Sequence, residues 1–240
     1  MSRLIEQIDR KFYPGFDRNW DDQLFRDRIL VHLGPSSVVL DLGAGAGIVK
    51  QMNFKGYAAR VCGVDLDPRV TSNPMLDEGR VSNASGIPYE DESFDVVFSN
   101  NVMEHLSDPL AVFCEVYRVL KPGGVFLFKT PNKHHYMPLI ARITPHRFHQ
   151  FVNRLRGRAE VDTFPTHYRA NAPKAVRALA SSSGFNVEDI ERVEGRPEYL
   201  RLAWPAYIVG LLYERTVNAT DLLAPLRILL IAQLRKPAHA

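Results

Sequence analysis

An aspartate followed by three alternating glycines is the feature of this sequence with the clearest chemical potential. The stretch 38–47 reads ValValLeuAspLeuGlyAlaGlyAlaGly, a short apolar run that leads into a turn. Glycines at Gly43, Gly45 and Gly47 would let the backbone pass close to a ligand in conformations that a side chain forbids. The turn therefore predicts a ligand site, and a tight turn without a ligand is the alternative.

The spacing of this turn and the position of Asp41 select among ligands. No Lys-Ser/Thr pair follows, which excludes a P-loop, and the Gly-x-Gly-x-Gly spacing differs from the Gly-x-Gly-x-x-Gly of dinucleotide enzymes. Asp41 lies two residues before the first glycine, where its carboxylate would repel a pyrophosphate. The same carboxylate would hold the ammonium group of a cofactor that carries an amino acid. A nicotinamide-dependent reductase is disfavoured for these reasons.

Asp65 ends the next apolar run, 22 residues beyond Gly43. An acid at about this distance accepts hydrogen bonds from ribose hydroxyls in nucleotide-binding α/β folds. A solvated residue at a strand end is the alternative for Asp65 taken alone. After such a glycine turn, its position favours the ribose role.

Strands and helices must alternate to bring these acids to one edge, and the sequence shows that alternation from 38 to 130. Short runs rich in Val, Leu and Phe predict strands at Val38–Leu42, Val61–Leu66, Phe94–Ser99 and Val125–Thr130. Nearly continuous apolar character is typical of parallel strands covered on both faces. Helices are predicted at Asp21–Leu33, after the glycine turn, from Ser107 to about 120, and at Pro173–Ser183, with later strands at Phe185–Val193 and Ile228–Leu234. The predicted fold class is α/β, with a doubly wound sheet.

A specific combination of four motifs spans residues 38 to 132. They are ValLeuAspLeuGlyAlaGlyAlaGly (39–47), GlyValAspLeuAsp (63–67), AspGluSerPheAspValValPheSer (91–99) and LeuLysProGlyGly (120–124). In this combination the sequence resembles the class I S-adenosylmethionine (SAM)-dependent methyltransferases. The resemblance implies SAM as cofactor and a Rossmann-like seven-stranded sheet with a reversed last strand. The basic stretch 133–158 and the apolar stretch at about 197–224 add the expectation of helical inserts after strand five and between strands six and seven.

The resemblance assigns roles to individual residues. Asp41 and the glycines would hold the methionine part of SAM, and Asp65 would hold the ribose. Asn83 stands where the family often has Asp, and its amide oxygen can still accept a hydrogen bond from the adenine amino group. The full set of expected cofactor contacts is Asp41, Gly43, Ala44, Gly45, Gly47, Asp65, Leu66, Asn83, Ala84, Ser85, Asn100 and Asn101.

The methyl acceptor is expected at the carboxyl ends of the fourth and fifth strands, near the topological switch point. His135, just past the fifth strand, is the preferred catalytic base because a neutral imidazole accepts a hydroxyl proton near pH 7. A surface histidine in a His-rich loop is the alternative. His105 and Tyr136 are the other catalytic candidates, and His105 is equally well explained as a packed histidine.

The segment 101–105 bears on metal dependence. It is similar to the Glu-x-x-Glu-His metal site of the O-methyltransferases of ubiquinone biosynthesis, but Asn101 replaces the first Glu. With one carboxylate lost, a hard divalent cation would be held poorly. We therefore expect a metal-independent protein.

Length and composition place the chain among globular proteins. Its 240 residues, 45% of them hydrophobic, fit one domain and exclude a disordered class. We divide it into an N-terminal helical segment (1–36), a SAM-binding core (37–132), a basic acceptor-side insert (133–172) and a C-terminal part (173–240) with an apolar insert at about 197–224. Two isolated cysteines and a charged N-terminal stretch indicate a cytoplasmic location.

The net charge of +3 conceals a segment, 133–158, that contains six basic residues and no acid. Helically spaced apolar residues within it favour core packing with a solvated basic face over nucleic-acid binding. A basic rim beside the acceptor would also suit an anionic small molecule or an anionic membrane surface. The apolar stretch 197–224 is too short and interrupted to span a membrane. Ordinary core, a dimer contact, a cover over an apolar acceptor and peripheral membrane contact are its alternatives.

The sequence thus predicts a SAM-dependent methyltransferase that acts on a small molecule. O-methylation of a saccharide, lipid-linked or secondary-metabolite hydroxyl is the first choice. An N-methyltransferase and an RNA-directed methyltransferase are the alternatives within the class. A protein that binds SAM without catalysis is the alternative outside it, because the acceptor residues are the least specific feature.

Overall fold

A seven-stranded sheet forms the centre of the molecule. The computed structural model describes residues 3–16, 19–138 and 165–238. The strand order is β3-β2-β1-β4-β5-β7-β6, in which the first five strands run parallel and β7 runs antiparallel to both of its neighbours. The strands are β1 (Val38–Leu42), β2 (Arg60–Asp65), β3 (Glu78–Val81), β4 (Phe94–Asn100), β5 (Leu120–Pro131), β6 (Asn186–Val193) and β7 (Leu229–Arg235). The predicted α/β sheet with a reversed last strand is confirmed.

Five α-helices lie wholly within the described residues and accompany the sheet. They are α1 (Arg3–Phe12), α2 (Trp20–Leu30), α3 (Pro109–Val119), α4 (Pro173–Ser183) and α5 (Trp204–Asn218). Asp108 caps α3, because its Oδ1 accepts a hydrogen bond from the Ala111 N–H and proline occupies the first helical position. The predicted insert between the last two strands contains α5. The predicted insert after strand five, with most of the basic residues of 133–158, falls largely at 139–164, outside the described residues.

The prediction of an α-helix after the glycine turn was wrong. The structure has only a short 3-10 helix there, Lys50–Met52, and the chain is extended again at Asn53. Met52 and Phe54 are buried against the same face of the sheet as α2, so they fill space that a helix would occupy. The extended backbone at Asn53 carries Phe54 inward directly after the 3-10 helix.

β3 was absent from the predicted strands. Its sequence, GluGlyArgVal, contains no apolar run, because it is an edge strand whose side chains are partly or fully exposed. It pairs with β2 from Cys62↔Glu78 to Asp65↔Val81. Such a strand has little periodic signal in the sequence, and its partner decides its conformation.

Two apolar layers hold the helices on opposite faces of the sheet. On one face, Phe25 and Ile29 of α2 pack with alternate residues of β1, β2, β4 and β5. On the other face, Phe113 and Val116 of α3 pack with Phe126, with α4 and with the last strand. Because the sheet is covered on both sides, its carboxyl edge is the part of the parallel strands left open for a ligand.

Candidate functional site

An open cleft lies at the carboxyl ends of β1 and β2. Its walls are the glycine turn, the 3-10 helix Lys50–Met52, the connection from β2 to β3 and the end of β4. The lining residues are Asp41, Gly43, Ala44, Gly45, Ala46, Ile48, Val49, Met52, Asp65, Asp67, Arg69, Asn73, Met75 and Asn100. Six of the expected cofactor contacts (Asp41, Gly43, Ala44, Gly45, Asp65 and Asn100) therefore meet in one cleft.

The glycine turn needs its glycines for two reasons. Gly43, Gly45 and Gly47 all have positive φ, at +91°, +51° and +73°, a region that favours glycine. A Cβ at Gly47 would also lie 2.2 Å from Oδ1 of Asn73, whose Nδ2 donates to the Ala44 carbonyl at 3.1 Å. The connection between β2 and β3 thus packs against the glycine turn and holds the backbone of the turn at the edge of the cleft.

Asp41 has a buried carboxylate that lacks a hydrogen-bond partner among the described residues. The residue lies in β1 and is only 6% exposed. Burial raises the pKa of Asp41 well above its usual value, and the charge of Asp65 raises it further. A cation at this point of the cleft would offset both effects, which fits the ammonium group of the methionine part of SAM.

The carboxylate of Asp65 is oriented by two backbone N–H groups. Oδ2 accepts a hydrogen bond from Gly45 at 2.8 Å, and Oδ1 accepts one from Asp67 at 2.8 Å. Each oxygen keeps a second lone pair, so the carboxylate can accept two further hydrogen bonds. Leu66, the next residue, is 62% exposed and offers an apolar surface beside it. This arrangement fits a ribose with an attached base.

The residues expected at the adenine follow β3 and do not line this cleft. Asn83 and Ser85 are exposed and Ala84 is half-buried. The Ser85 N–H donates to Oδ1 of Asn83 at 3.1 Å, which leaves that oxygen one lone pair for another donor. Their adenine role stays a prediction.

The two asparagines that end β4 differ in their surroundings. Asn100 lines the cleft, and its Nδ2 donates to Oδ1 of Asp22 at 2.8 Å. Its own Oδ1 is buried and has no hydrogen-bond partner among the described residues. Asn101 is exposed, with φ +58° and its N–H donated to the Lys129 carbonyl. Asn100 therefore presents an unsatisfied acceptor next to the cleft, and Asn101 shapes the turn that follows.

A charged cluster that was not predicted from the sequence lies behind Asn100. Lys129 of β5 is fully buried, and its Nζ lies 2.7 Å from Oδ2 of Asp21 and 2.7 Å from Oδ1 of Asp22. Both aspartates stand in the first turn of α2. The available signal was a lysine within a run predicted to be covered on both faces, since a buried ammonium requires acidic partners.

The acceptor side predicted at the ends of β4 and β5 contains a second buried acid, Glu104. Its Oε2 accepts a hydrogen bond from Thr130 Oγ1 at 2.8 Å, and that hydroxyl accepts one from Asn171 Nδ2 at 2.6 Å. Burial raises the pKa of Glu104. The Nδ1 of His105 lies 2.9 Å from the Pro165 carbonyl, and His105 is not among the cleft-lining residues.

His135 and Tyr136 lie beyond β5 in an aromatic cluster, away from the cleft. His135 is 1% exposed; its Nδ1 accepts from the Met137 N–H at 3.2 Å, and its Nε2 lies 3.4 Å from Oε2 of Glu194. The rings of Tyr136 and Tyr213 pack on it at 4.0 Å and 5.6 Å between centroids. Burial raises the pKa of Tyr213 to about 12 and that of Tyr136 further, so both phenols are neutral. His135 is thus buried and is not among the cleft-lining residues, and its role as a base stays a prediction.

Metal independence also stays a prediction. Across residues 3–16, 19–138 and 165–238, no three His, Cys, Asp or Glu side chains are grouped as metal ligands would be. Glu104 and His105 lie near each other, with 3.9 Å between Oε1 and Nε2.

The seven-stranded sheet with its reversed last strand is the fold of the class I methyltransferases. The cleft at the glycine turn lies where a protein of this class binds its nucleotide-containing cofactor. Residues 40–128 match the family described as "Methyltransferase domain". The matched part runs from β1 to β5 and so contains the glycine turn, Asp65 and Asn100. Residues 40–128 therefore belong to the class I SAM-dependent methyltransferase family.

The sequence is also similar to individual proteins of this family. A "Probable S-adenosylmethionine-dependent methyltransferase" of Mycolicibacterium smegmatis is 33% identical over 164 residues, which are 67% of this chain and 56% of that protein. The malonyl-[acyl-carrier protein] O-methyltransferase of Serratia marcescens is 35% identical over 105 residues, which are 40% of this chain and 39% of that protein. The chain thus spans about half the length of the curated relatives it matches.

A solved structure shows the same fold. Phosphoethanolamine N-methyltransferase 2 of Haemonchus contortus, in complex with SAM, superposes with a TM-score of 0.57 at 19% identity. The superposition covers 99% of this chain and 60% of that one. At this identity the likeness concerns the fold alone.

Proposed function

We propose that this protein transfers the methyl group of SAM to a small-molecule acceptor. The observation that carries the proposal is the presence in one cleft of two distinct carboxylates, the buried and unpartnered Asp41 and the backbone-oriented Asp65. The family match over 40–128 supports SAM as the cofactor. When bound, SAM supplies an electrophilic methyl group on its sulfonium.

The residues in and beside the cleft would meet different parts of the cofactor. Asp41 accepts hydrogen bonds from the ammonium of the methionine part, which compensates its buried charge. Asp65 accepts hydrogen bonds from the ribose hydroxyls with its remaining lone pairs. The glycine turn admits the methionine part close to the backbone, and Leu66 with the loop 83–85 receives the adenine.

For the acceptor we propose a hydroxyl of a saccharide, a lipid-linked molecule or a secondary metabolite. The similarity to an O-methyltransferase of Serratia marcescens supports transfer to oxygen. The six basic residues of 133–158 support an anionic acceptor. If the labelled product formed in a cell extract were N-methylated or were RNA, the proposed acceptor class would be wrong. The assignment of the cofactor site would not be affected.

We also propose peripheral membrane contact through α5. Ile208, Val209 and Leu212 are exposed on the outer side of this helix, where a water-facing helix is normally polar, and Trp204 is exposed at its start. No helix of the described residues is both long and apolar enough to cross a bilayer.

Sedimentation with anionic phospholipid vesicles tests this contact. The double variant Ile208→Ser/Leu212→Ser should bind the vesicles several-fold less than the parent chain. Val31→Ser is the control, because Val31 is 80% exposed at the end of α2, on another helix. Equal sedimentation of all three proteins would exclude contact through α5.

Calorimetry with S-adenosylhomocysteine (SAH), the expected product, tests the cofactor site. Asp65→Ala should weaken SAH binding by ~1–3 kcal/mol, the scale of hydrogen bonds lost from a charged group. Asp189→Ala, an exposed substitution on the edge strand β6, should leave the affinity unchanged. An Asp65→Ala variant with parental affinity would contradict the ribose assignment.

Turnover of methyl-labelled SAM separates an enzyme from a binding protein. Transfer of label to a small molecule in a cell extract supports the proposed activity, and mass spectrometry of the product gives the methylated atom. Tight SAH binding with no transfer would identify a protein that binds SAM without catalysis. NADH binding would instead indicate a reductase.

A further inference from the structure

Asp22 links the N-terminal helix to the cofactor cleft. Its Oδ1 accepts two hydrogen bonds, from Lys129 Nζ at 2.7 Å and from Asn100 Nδ2 at 2.8 Å. The three residues come from α2, β5 and the end of β4, so one carboxylate oxygen joins three elements. Only Asn100 among them lines the cleft.

The bond to Asp22 decides which way the Asn100 amide faces. An amide has a donor end and an acceptor end, and a carboxylate can receive only the donor. Nδ2 therefore faces Asp22, and Oδ1 is turned away from it. That oxygen is buried and has no partner among the described residues, which is costly for a polar atom unless a ligand satisfies it.

Asn100 and Asp41 both line the cleft and come from adjacent strands. β1 and β4 are adjacent, with Asp41 opposite Phe98, so Asn100 lies two residues further along the neighbouring strand. Two residues of strand correspond to about 7 Å. An ammonium group has three donors and can bond to more than one acceptor of such a set.

Lys129 holds the side chain of Asp22 in place. The fully buried ammonium of Lys129 lies 2.7 Å from a carboxylate oxygen of each aspartate in the first turn of α2, and these ion pairs fix both side chains in place. Asp21 shares this role but makes no bond to Asn100. The two aspartates are therefore equivalent toward Lys129 and different toward the cleft.

We propose that Asp22 is a positioning residue for the cofactor site, which it serves by holding Asn100 with Oδ1 toward the ammonium of the methionine part. The inference rests on the proposed function. On this proposal the packing of α2 against the sheet supports the cofactor site. A helix that does not contact the cofactor therefore affects the affinity of the protein for it.

SAH calorimetry and thermal unfolding of Asp22→Ala and Asp21→Ala test the proposal. Each variant removes one carboxylate from Lys129, so both should lower Tm by similar amounts. Asp22→Ala alone should also weaken SAH binding, by about tenfold, the effect of one hydrogen bond to a charged group. Asp22→Asn should restore most of the affinity, because its side-chain oxygen can still accept from Asn100.

Asn100→Ala provides a second measurement that leaves the Lys129 pairs in place. It should weaken SAH binding about as much as Asp22→Ala, with a smaller loss of Tm, and the double variant should lose little more than either alone. Equal affinity losses in Asp21→Ala and Asp22→Ala, or parental affinity in Asn100→Ala, would overturn the proposal. Absence of SAH binding by the parent chain would overturn the proposed function as well.

Discussion

Asp41 shows how a single residue can oppose stability and favour binding. Its carboxylate lies in the sheet without a hydrogen-bond partner in the described part of the chain, and burial together with Asp65 raises its pKa. A raised pKa means that the folded state binds a proton more tightly than the unfolded state. The contribution of Asp41 to stability is therefore most favourable at low pH and is lost as the pH rises above about 4 and through the raised folded pKa.

Asp41→Asn should consequently stabilise the protein and weaken its cofactor binding. At pH 8 the free energy of unfolding should rise by about 1–3 kcal/mol, the range for an uncompensated buried polar group. Denaturant titrations at pH 5 and pH 8 should show that the free energy of unfolding falls less with rising pH in the variant than in the parent chain. SAH affinity should fall, because an amide attracts the ammonium less than a carboxylate does.

The matched control for this prediction is Asp189→Asn. Asp189 is an exposed acid of the edge strand β6. Its substitution should change stability by less than about 0.5 kcal/mol at either pH. An Asp41→Asn variant that is less stable than the parent at pH 8 would show that Asp41 has a cationic partner in the free protein.

At the scale of the element, close packing decides where β3 lies. A Cβ at Gly79 would lie 2.0 Å from the Val70 carbonyl oxygen, in the 3-10 helix Pro68–Ser72 that follows β2. The backbone of β3 therefore contacts that helix directly, and only glycine permits the contact. This helix precedes Asn73, which braces the glycine turn, so the edge strand supports the wall of the cleft.

Gly79→Ala should lower the free energy of unfolding by about 2–3 kcal/mol, because a backbone atom cannot move aside as a side chain does. Denaturant unfolding provides the measurement. Gly86→Ala is the control, since a Cβ at that position meets nothing within 4 Å. Similar free energies of unfolding for the two variants would show that β3 can move away from the 3-10 helix without loss of stability.

At the scale of the molecule, polar contacts attach the first helix to the last. Asp9 of α1 accepts hydrogen bonds from Tyr207 of α5 and, at 2.6 Å, from Arg201. Tyr13 Oη donates to Glu214 of α5 at 3.1 Å. These partners are about 200 positions apart in the chain, so the N-terminal helix is part of the C-terminal half in space.

Asp9→Ala should release α1 without unfolding the sheet. The free energy of opening for α1 amides should fall by ~1–3 kcal/mol, because Tyr207 and Arg201 lose a charged acceptor. Hydrogen exchange by mass spectrometry would show faster exchange in 3–12 and little change in β1 or β4. Glu6→Ala, an exposed change on the same helix, should leave exchange as in the parent. Uniform acceleration throughout the molecule would show that α1 is not a separate opening unit.

The sequence by itself determined the central parallel strands and the main acids of the cleft. β1, β2, β4 and β5 each contain a continuous apolar run, and the glycine turn with Asp41 and Asp65 is a local pattern of residue types. Such features depend on neighbours within a few positions, so they are legible along the chain. The reversed last strand followed from the family resemblance rather than from periodicity.

Tertiary structure alone decided the features that depend on residues far apart in the chain. Lys129 is 108 positions from Asp21, and nothing local indicates that a lysine of β5 pairs with the start of α2. Burial of Met52 and Phe54 replaced the expected helix after the glycine turn. His135 follows β5 as predicted, but its contacts with Glu194 and Tyr213 bury it. In each case the free energy comes from packing and charge pairing between distant segments, which residue order does not reveal.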